Sequence, residues 1–193
     1  ETRLIAEDSD ARHSDAAPDW SPLGNRIAFS GARTVVSGSL TSTSQNIYTV
    51  SPDGGGPFRL SPLEALRFES DPAWSPDGSR IAFVEGEGNI VMVNSDGSGR
   101  TVLNASSIRR SNLSWHPDGG RIAFEEGPNL FEKSVRVMNA DGTNPRTIIP
   151  NARSPAWSPD GARLAFARDG AILTADAEGQ NQTQASCCFF GFP

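Results

Sequence analysis

Apolar residues along this chain fall in short runs, not in stripes at helical spacing. Ile27-Ala28-Phe29, Ile81-Ala82-Phe83, Ile122-Ala123-Phe124 and Leu164-Ala165-Phe166 each place a small alanine between two large apolar side chains. Such runs read as short β-strands. A second run follows each: Asn46-Ile47-Tyr48-Thr49-Val50, Asn89-Ile90-Val91-Met92-Val93, Ser134-Val135-Arg136-Val137-Met138 and Ala171-Ile172-Leu173-Thr174. A third appears as Phe58-Arg59-Leu60, Thr101-Val102-Leu103 and Thr147-Ile148-Ile149. Polar residues punctuate the runs. Ser75-Pro76-Asp77-Gly78 is a tight reversal: proline presets φ, aspartate bonds its own backbone, and glycine takes the positive-φ position.

The punctuation repeats. Trp20, Trp74, Trp115 and Trp157 stand 54, 41 and 42 residues apart, and each opens the same phrase. The copies are Trp20-Ser21-Pro22-Leu23-Gly24, Trp74-Ser75-Pro76-Asp77-Gly78, Trp115-His116-Pro117-Asp118-Gly119 and Trp157-Ser158-Pro159-Asp160-Gly161. A second turn phrase follows in each: Ser51-Pro52-Asp53-Gly54, Asn94-Ser95-Asp96-Gly97, Asn139-Ala140-Asp141-Gly142 and Asp176-Ala177-Glu178-Gly179. Together they predict four antiparallel strands per repeat, the sequence form of β-propeller blades. The expected fold is all-β: a β-propeller of four four-stranded blades, alone or as part of a larger ring.

These phrases resemble the TolB-type propeller repeat, a relative of the WD-type blade, over roughly residues 1 to 185. The resemblance implies a ring that is typically six-bladed and a place in an envelope-spanning assembly of Gram-negative bacteria. It therefore implies a periplasmic or secreted protein. Related repeats also form the substrate-gating propeller of some serine peptidases. The chain departs from the family in showing four repeats.

Composition supports many turns: 19 Gly and 14 Pro in 193 residues. The net charge of −6 argues against nucleic-acid binding, which rests on phosphate neutralisation. No apolar run is long enough to span a bilayer as a helix. The only cysteines, Cys187 and Cys188, are adjacent, so no disulfide framework is expected.

The predicted domain runs over residues 1–186, with blades near 17–60, 72–103, 113–149 and 155–185 and an apolar tail at 187–193. The last repeat carries Thr183-Gln184-Ala185 where the second carries Thr101-Val102-Leu103. A strand at residues 1–5 is expected to complete that blade. The alternative is a chain cut before a lost blade. Open blade edges would allow self-association.

In an up-and-down meander both turn phrases share one end of the blade. The longer connections share the other end: 6–17, 61–71, 104–112 and 150–154 between blades, 30–45 and 125–133 within them. Function collects on variable loops. The candidate partner-binding residues are His13, Asp15, Arg67, Glu69, Asp71, Arg109, Arg110 and Arg153, charged side chains ahead of each tryptophan. Acidic members come mostly from the first two blades and basic members mostly from the last two. The tryptophans read as packing between blades, and each arginine before Ile-Ala-Phe as a structural hydrogen-bonder.

No catalytic residue, metal site or cofactor is expected. The two histidines lack ligand spacing for zinc, and no Gly-x-Ser-x-Gly elbow is present. The loop at Asn94 has Ala105 where a calcium loop needs glutamate. The expected function is a non-enzymatic scaffold that binds a protein or peptide. The alternative is the propeller part of a larger enzyme such as a serine peptidase. A lectin-like propeller for a small ligand has no aromatic platform beyond the structural tryptophans.

Overall fold

The computed structural model describes residues 12–37, 40–60, 68–129 and 131–186. All regular structure there is β-sheet, in four antiparallel sheets of four strands. Blade 1 is β1 (Arg12–Trp20), β2 (Ile27–Ser37), β3 (Leu40–Val50) and β4 (Phe58–Arg59). Blade 2 is β5 (Glu69–Trp74), β6 (Arg80–Glu85), β7 (Asn89–Asn94) and β8 (Thr101–Asn104). Blade 3 is β9 (Arg110–Trp115), β10 (Arg121–Glu126), β11 (Ser134–Asn139) and β12 (Arg146–Ile149). Blade 4 is β13 (Arg153–Trp157), β14 (Arg163–Arg168), β15 (Ala171–Asp176) and β16 (Thr183–Gln184). The chain forms two compact units, Glu1–Ser106 with blades 1 and 2 and Ser107–Pro193 with blades 3 and 4.

Strand alternation explains the Ile-Ala-Phe run. In blade 2, Ile81 pairs with Trp74 and Val93, and Phe83 pairs with Val91. Paired residues share a face, so these five side chains lie on one side of the sheet. They cluster with Ala28, Ile47 and Leu60 of blade 1. Blade 1 therefore presents its alanine side to the tryptophan side of blade 2. The second unit repeats this: Trp157, Leu164, Phe166 and Ala175 pack with Ala123, Val135, Val137 and Ile149. Fully burying side chains of this size contributes about 1.5–3 kcal/mol each.

A polar clip accompanies the packing. The Trp74 N–H donates to Asp19 Oδ2 (2.7 Å), and the Trp157 N–H donates to Ser114 Oγ (3.2 Å). Asp19 and Ser114 each precede the tryptophan of the blade before. Burial pushes the Asp19 carboxyl above the usual range, opposed by the backbone N–H groups of Trp74 and Trp20.

The turns form as their residues dictate. In blade 2 the Gly78 N–H donates to the Ser75 carbonyl, and Asp77 accepts from Ser75 Oγ and from the Ser79 N–H and Oγ. Gly78 sits at φ 70°. An added Cβ there would meet Leu23 of the neighbouring blade at 3.0 Å.

Two expectations need correction. Residues 12–17 are not loop; they belong to β1 and pair with β2 out to Arg12↔Thr34. The insertion at 30–45 is largely a ladder, because Ser, Thr and Val suit strands; β2 and β3 pair in unbroken register to Ser37↔Leu40. In blade 4 the backbone of Thr183–Gln184 pairs with Thr174 and Leu173, without apolar side chains. The strand expected at 1–5 and the tail at 187–193 lie outside the described residues.

Candidate functional site

Each blade interrupts its first strand at one place. The pairing register shifts between Ala16 and Asp19, between Ser70 and Ala73, opposite Ala123 and Glu125, and between Arg153 and Ala156. One residue in each break adopts a left-handed backbone: Ala17 (φ 50°), Asp71 (φ 52°), Asn112 (φ 53°) and Ser154 (φ 54°). All four stand three positions before the tryptophan. An extra residue of this kind bends the strand and re-aims its side chains. For residues other than glycine this backbone costs about 1–2 kcal/mol. Sequence reasoning missed the device. Asp71 and Asn112 suit a left-handed backbone, but Ala17 and Ser154 give no such signal.

The end of the blades that carries these bulges holds buried charge. In blade 3, Arg110 Nε and Nη2 both reach Glu126 Oε2 at 2.7 Å, and the guanidinium lies 5.0 Å over the Phe124 ring. The other oxygen of Glu126 accepts from Arg136 Nη1. Glu125 accepts from Ser111 Oγ (3.3 Å) and from the Asn112 amide. Buried Lys133 donates to the same Ser111 hydroxyl (3.3 Å). Desolvated charges persist only when paired and hydrogen-bonded in this way.

Beside this network opens a cleft of about 480 Å³, lined by Phe131, Lys133, Pro150, Asn151, Ala152, Arg153, Arg168 and Asp169. Arg168 builds its floor. Its guanidinium donates to the Asn151 carbonyl (3.2 Å), the Pro150 carbonyl (2.9 Å) and Gln182 Oε1 (2.7 Å). Asn129 fixes the rim: its Oδ1 accepts from the Phe131 N–H (2.8 Å) and the Glu132 N–H (2.9 Å). The Phe131 side chain is 85% exposed. Arg153 is exposed, while Asn151 and Asp169 have left-handed backbones at φ 52° and 50°. The cleft thus offers cations, the Asp169 carboxylate and one exposed aromatic ring.

The candidate residues divide by burial. Glu69 is fully buried, and its Oε2 accepts from the Ile47 N–H of blade 1 (3.1 Å). Arg110 is 5% exposed and spent on Glu126. These two serve the interior, which corrects the expectation that they face a partner. A charged residue five positions before the tryptophan is drawn inward in blades 2 and 3; blade 4 has buried Ala152 there. Asp15, Arg109 and Arg153 are exposed, and Asp71 is half-buried at its bulge. His13 lies on β1, but its side chain and Arg67 lie outside the described residues. Sequence reasoning missed Phe131 and Lys133, which stand outside the repeated phrases. Among the described residues no group of three His, Cys, Asp or Glu side chains stands close enough to hold a metal ion.

The arginines before Ile-Ala-Phe are structural in the second unit. Arg121 lies 5.3 Å over the Trp157 ring with Nη2 2.9 Å from His116 Nε2, and Arg163 donates to Thr174 Oγ1 (2.6 Å). His116, which replaces serine in its turn, packs edge-on to Trp157 at 4.6 Å and contacts the Gly161 carbonyl (3.1 Å).

Four antiparallel four-stranded sheets with a tryptophan face, an alanine face and two recurrent turns define a β-propeller protein. The chain belongs to the TolB beta propeller domain family, whose model matches residues 1–184. It is similar in structure to putative TolB from Agrobacterium tumefaciens, with TM-score 0.64 and 18% identity over 89% of this chain and 80% of that one. It is also similar to TolB from Acinetobacter baumannii, with TM-score 0.61 and 14% identity over 89% of this chain and 54% of that one. Oligogalacturonate lyase from Vibrio parahaemolyticus matches at TM-score 0.69 and 12% identity, over 95% of this chain and 56% of that one. The chain thus spans little more than half the length of two of these three structures.

Proposed function

We propose that this chain is a binding propeller that takes an acidic, extended peptide segment of a partner protein into the cleft between Phe131 and Arg153. The observation that carries this is an aromatic ring held 85% exposed beside cations in an open cleft. An exposed ring contributes to folding only weakly, whereas rigid aromatic and arginine side chains dominate protein recognition. The likeness to TolB supports a place in the cell envelope, periplasmic or secreted, with a protein partner. No helix of the described residues is long and apolar enough to cross a membrane.

The test is selection from a displayed library of random extended peptides. Enrichment of Asp and Glu beside an apolar residue is expected, with binding lost in Arg153→Ser and weakened in Phe131→Ser. Random or basic enrichment would sink the reading. A second reading, the propeller part of a larger enzyme, draws on the lyase likeness and on the same cations, which suit a carboxylate sugar. Oligogalacturonate binding in place of peptide would favour it.

A further inference from the structure

The chain carries 17 lysines and arginines, and Lys133 is the only lysine. It is 6% exposed and lines the cleft of the second unit, whose other cations are exposed Arg153 and half-buried Arg168. Its backbone is fixed on both sides. The Lys133 carbonyl accepts from the Ala152 N–H (3.0 Å). The loop before it packs so closely on Gly127 that an added Cβ there would stand 1.8 Å from the Glu132 carbonyl oxygen. The side chain ends on Ser111 Oγ (3.3 Å). That hydroxyl has one proton, given to Glu125 Oε1 (3.3 Å), so it meets the ammonium as an acceptor. Two N–H donors of Lys133 therefore have no acceptor among the described residues. Arg110 and Arg136 share the Glu126 carboxylate directly, whereas Lys133 reaches Glu125 only through a hydroxyl. No carboxylate of the described residues, exposed Asp169 included, forms an ion pair with it.

A buried ammonium held by one neutral hydroxyl costs the fold stability. Arg110 shows how this unit pairs a charge that serves only the interior; Lys133 instead lines an open cleft. We propose that Lys133 is a carboxylate subsite of that cleft, its two open donors taking a ligand carboxylate and completing the charge pair that the fold leaves incomplete. This rests on the reading that the cleft takes an acidic peptide, and adds a deeper anchor to it. Arg153 on the rim attracts acid from solvent and is screened by salt. Lys133 takes only a carboxylate that enters far enough to lose its water, where the attraction is stronger. Lysine suits the place because it presents three donors from one compact atom, on a stem that packs along apolar surface. Phe131, two residues earlier, supplies an apolar contact on the same cleft. The ligand group is therefore a carboxylate with an apolar neighbour, from an acidic side chain or from the end of a chain.

The test uses the whole, unaltered chain with isotope-labelled lysine, which gives one side-chain NMR signal because Lys133 is the only lysine. Glutarate, its neutral diamide and a selected acidic peptide are titrated in turn. Glutarate and the peptide should shift the Lys133 signal in a saturable way, and the diamide should not. The peptide is used with a free and with an amidated end; a shift with either supports the subsite, and loss on amidation assigns the carboxylate to the chain end. Lys133→Met should weaken the peptide at least about tenfold and melt no lower than the original, since it removes a charge with one neutral partner. A signal that neither carboxylate moves would overturn the proposal, as would a Lys133→Met chain that melts well below the original. A peptide that binds Lys133→Met as tightly as the original would overturn the subsite and leave the peptide reading standing. Glutarate that shifts the signal where no peptide binds would uphold the subsite and end the peptide reading.

Discussion

The two ends of each blade are built on opposite plans. At the turn end, the bonds are local and nearly the same in every repeat. Asp77 accepts from Ser75 and Ser79, Asp96 from Ser98, Asp141 from Thr143 and Asp160 from Ser158 and Ala162, all within two residues. At the connection end, partners lie far apart in sequence and differ between blades. Glu69 reaches Ile47, Arg110 reaches Glu126, and Arg168 reaches Gln182. The turn end closes hairpins with little loop entropy to overcome, so one sequence serves four times. At the connection end Glu69 reaches across to blade 1 while Arg110 and Arg168 bond within their own blades, so each copy is individual. A scaffold of this kind can vary one end without disturbing the other.

The largest effect should come from breaking a buried charge at the connection end. Glu126→Ala removes the carboxylate that Arg110 and Arg136 share, with the Arg110 guanidinium buried over the Phe124 ring. It should lower unfolding free energy by about 3–5 kcal/mol, read by denaturant titration. Arg110→Ser belongs to the same class, because the guanidinium is an interior partner and not a surface charge. A loss under about 1 kcal/mol would mean that the pair is solvated and the contrast between the ends is overstated.

Smaller effects belong to the turn end. Asp77→Ala removes short-range hydrogen bonds in a wet turn and should cost about 0.5–1.5 kcal/mol. Acid reads the same bonds together. The Ser75 hydroxyl, with the Ser79 N–H and hydroxyl, holds the Asp77 carboxyl down to about 2 from 3.8. Asp96, Asp118, Asp141 and Asp160 are lowered in the same direction by hydrogen bonds of their turns. A lowered carboxylate stabilises the fold above its unfolded value and loses that contribution as pH falls through its folded value. The melting temperature should therefore fall between about pH 4 and pH 2, and Asp77→Asn should flatten that fall. Half-buried Asp19, raised by burial, acts in the opposite sense and at higher pH: it favours the fold as pH falls through its raised value towards 3.8, so Asp19→Asn should remove a gain in melting temperature that lies above the Asp77 window.

The contrast also explains what the chain reveals before folding. Turn chemistry and Ile-Ala-Phe alternation are local, so strand order, blade count and the packing role of Trp74 and Trp157 follow from residues adjacent in sequence. The connection end is not local. Nothing next to Glu69 or Arg110 announces that burial awaits them; that depends on Ile47 in one case and Glu126 in the other. Charged residues ahead of a tryptophan look alike in sequence, and only the ladder separates exposed Arg153 from buried Arg110. Exposed Phe131, whose backbone N–H bonds Asn129, lies outside any repeated phrase.

Arg153→Ser should be the mildest change for the fold, within about 0.5 kcal/mol of the original in unfolding free energy. It should be the most damaging for binding. The direct measurement is the affinity of a selected acidic peptide for Arg153→Ser, Phe131→Ser, Asp96→Ser and Asp141→Ser, each compared with the original chain. The first two should weaken binding at least about tenfold and reduce its salt dependence in Arg153→Ser, while the two turn variants bind as the original does. Loss of binding in the turn variants with Arg153→Ser unaffected would place recognition at the wrong end of the blades and contradict the account.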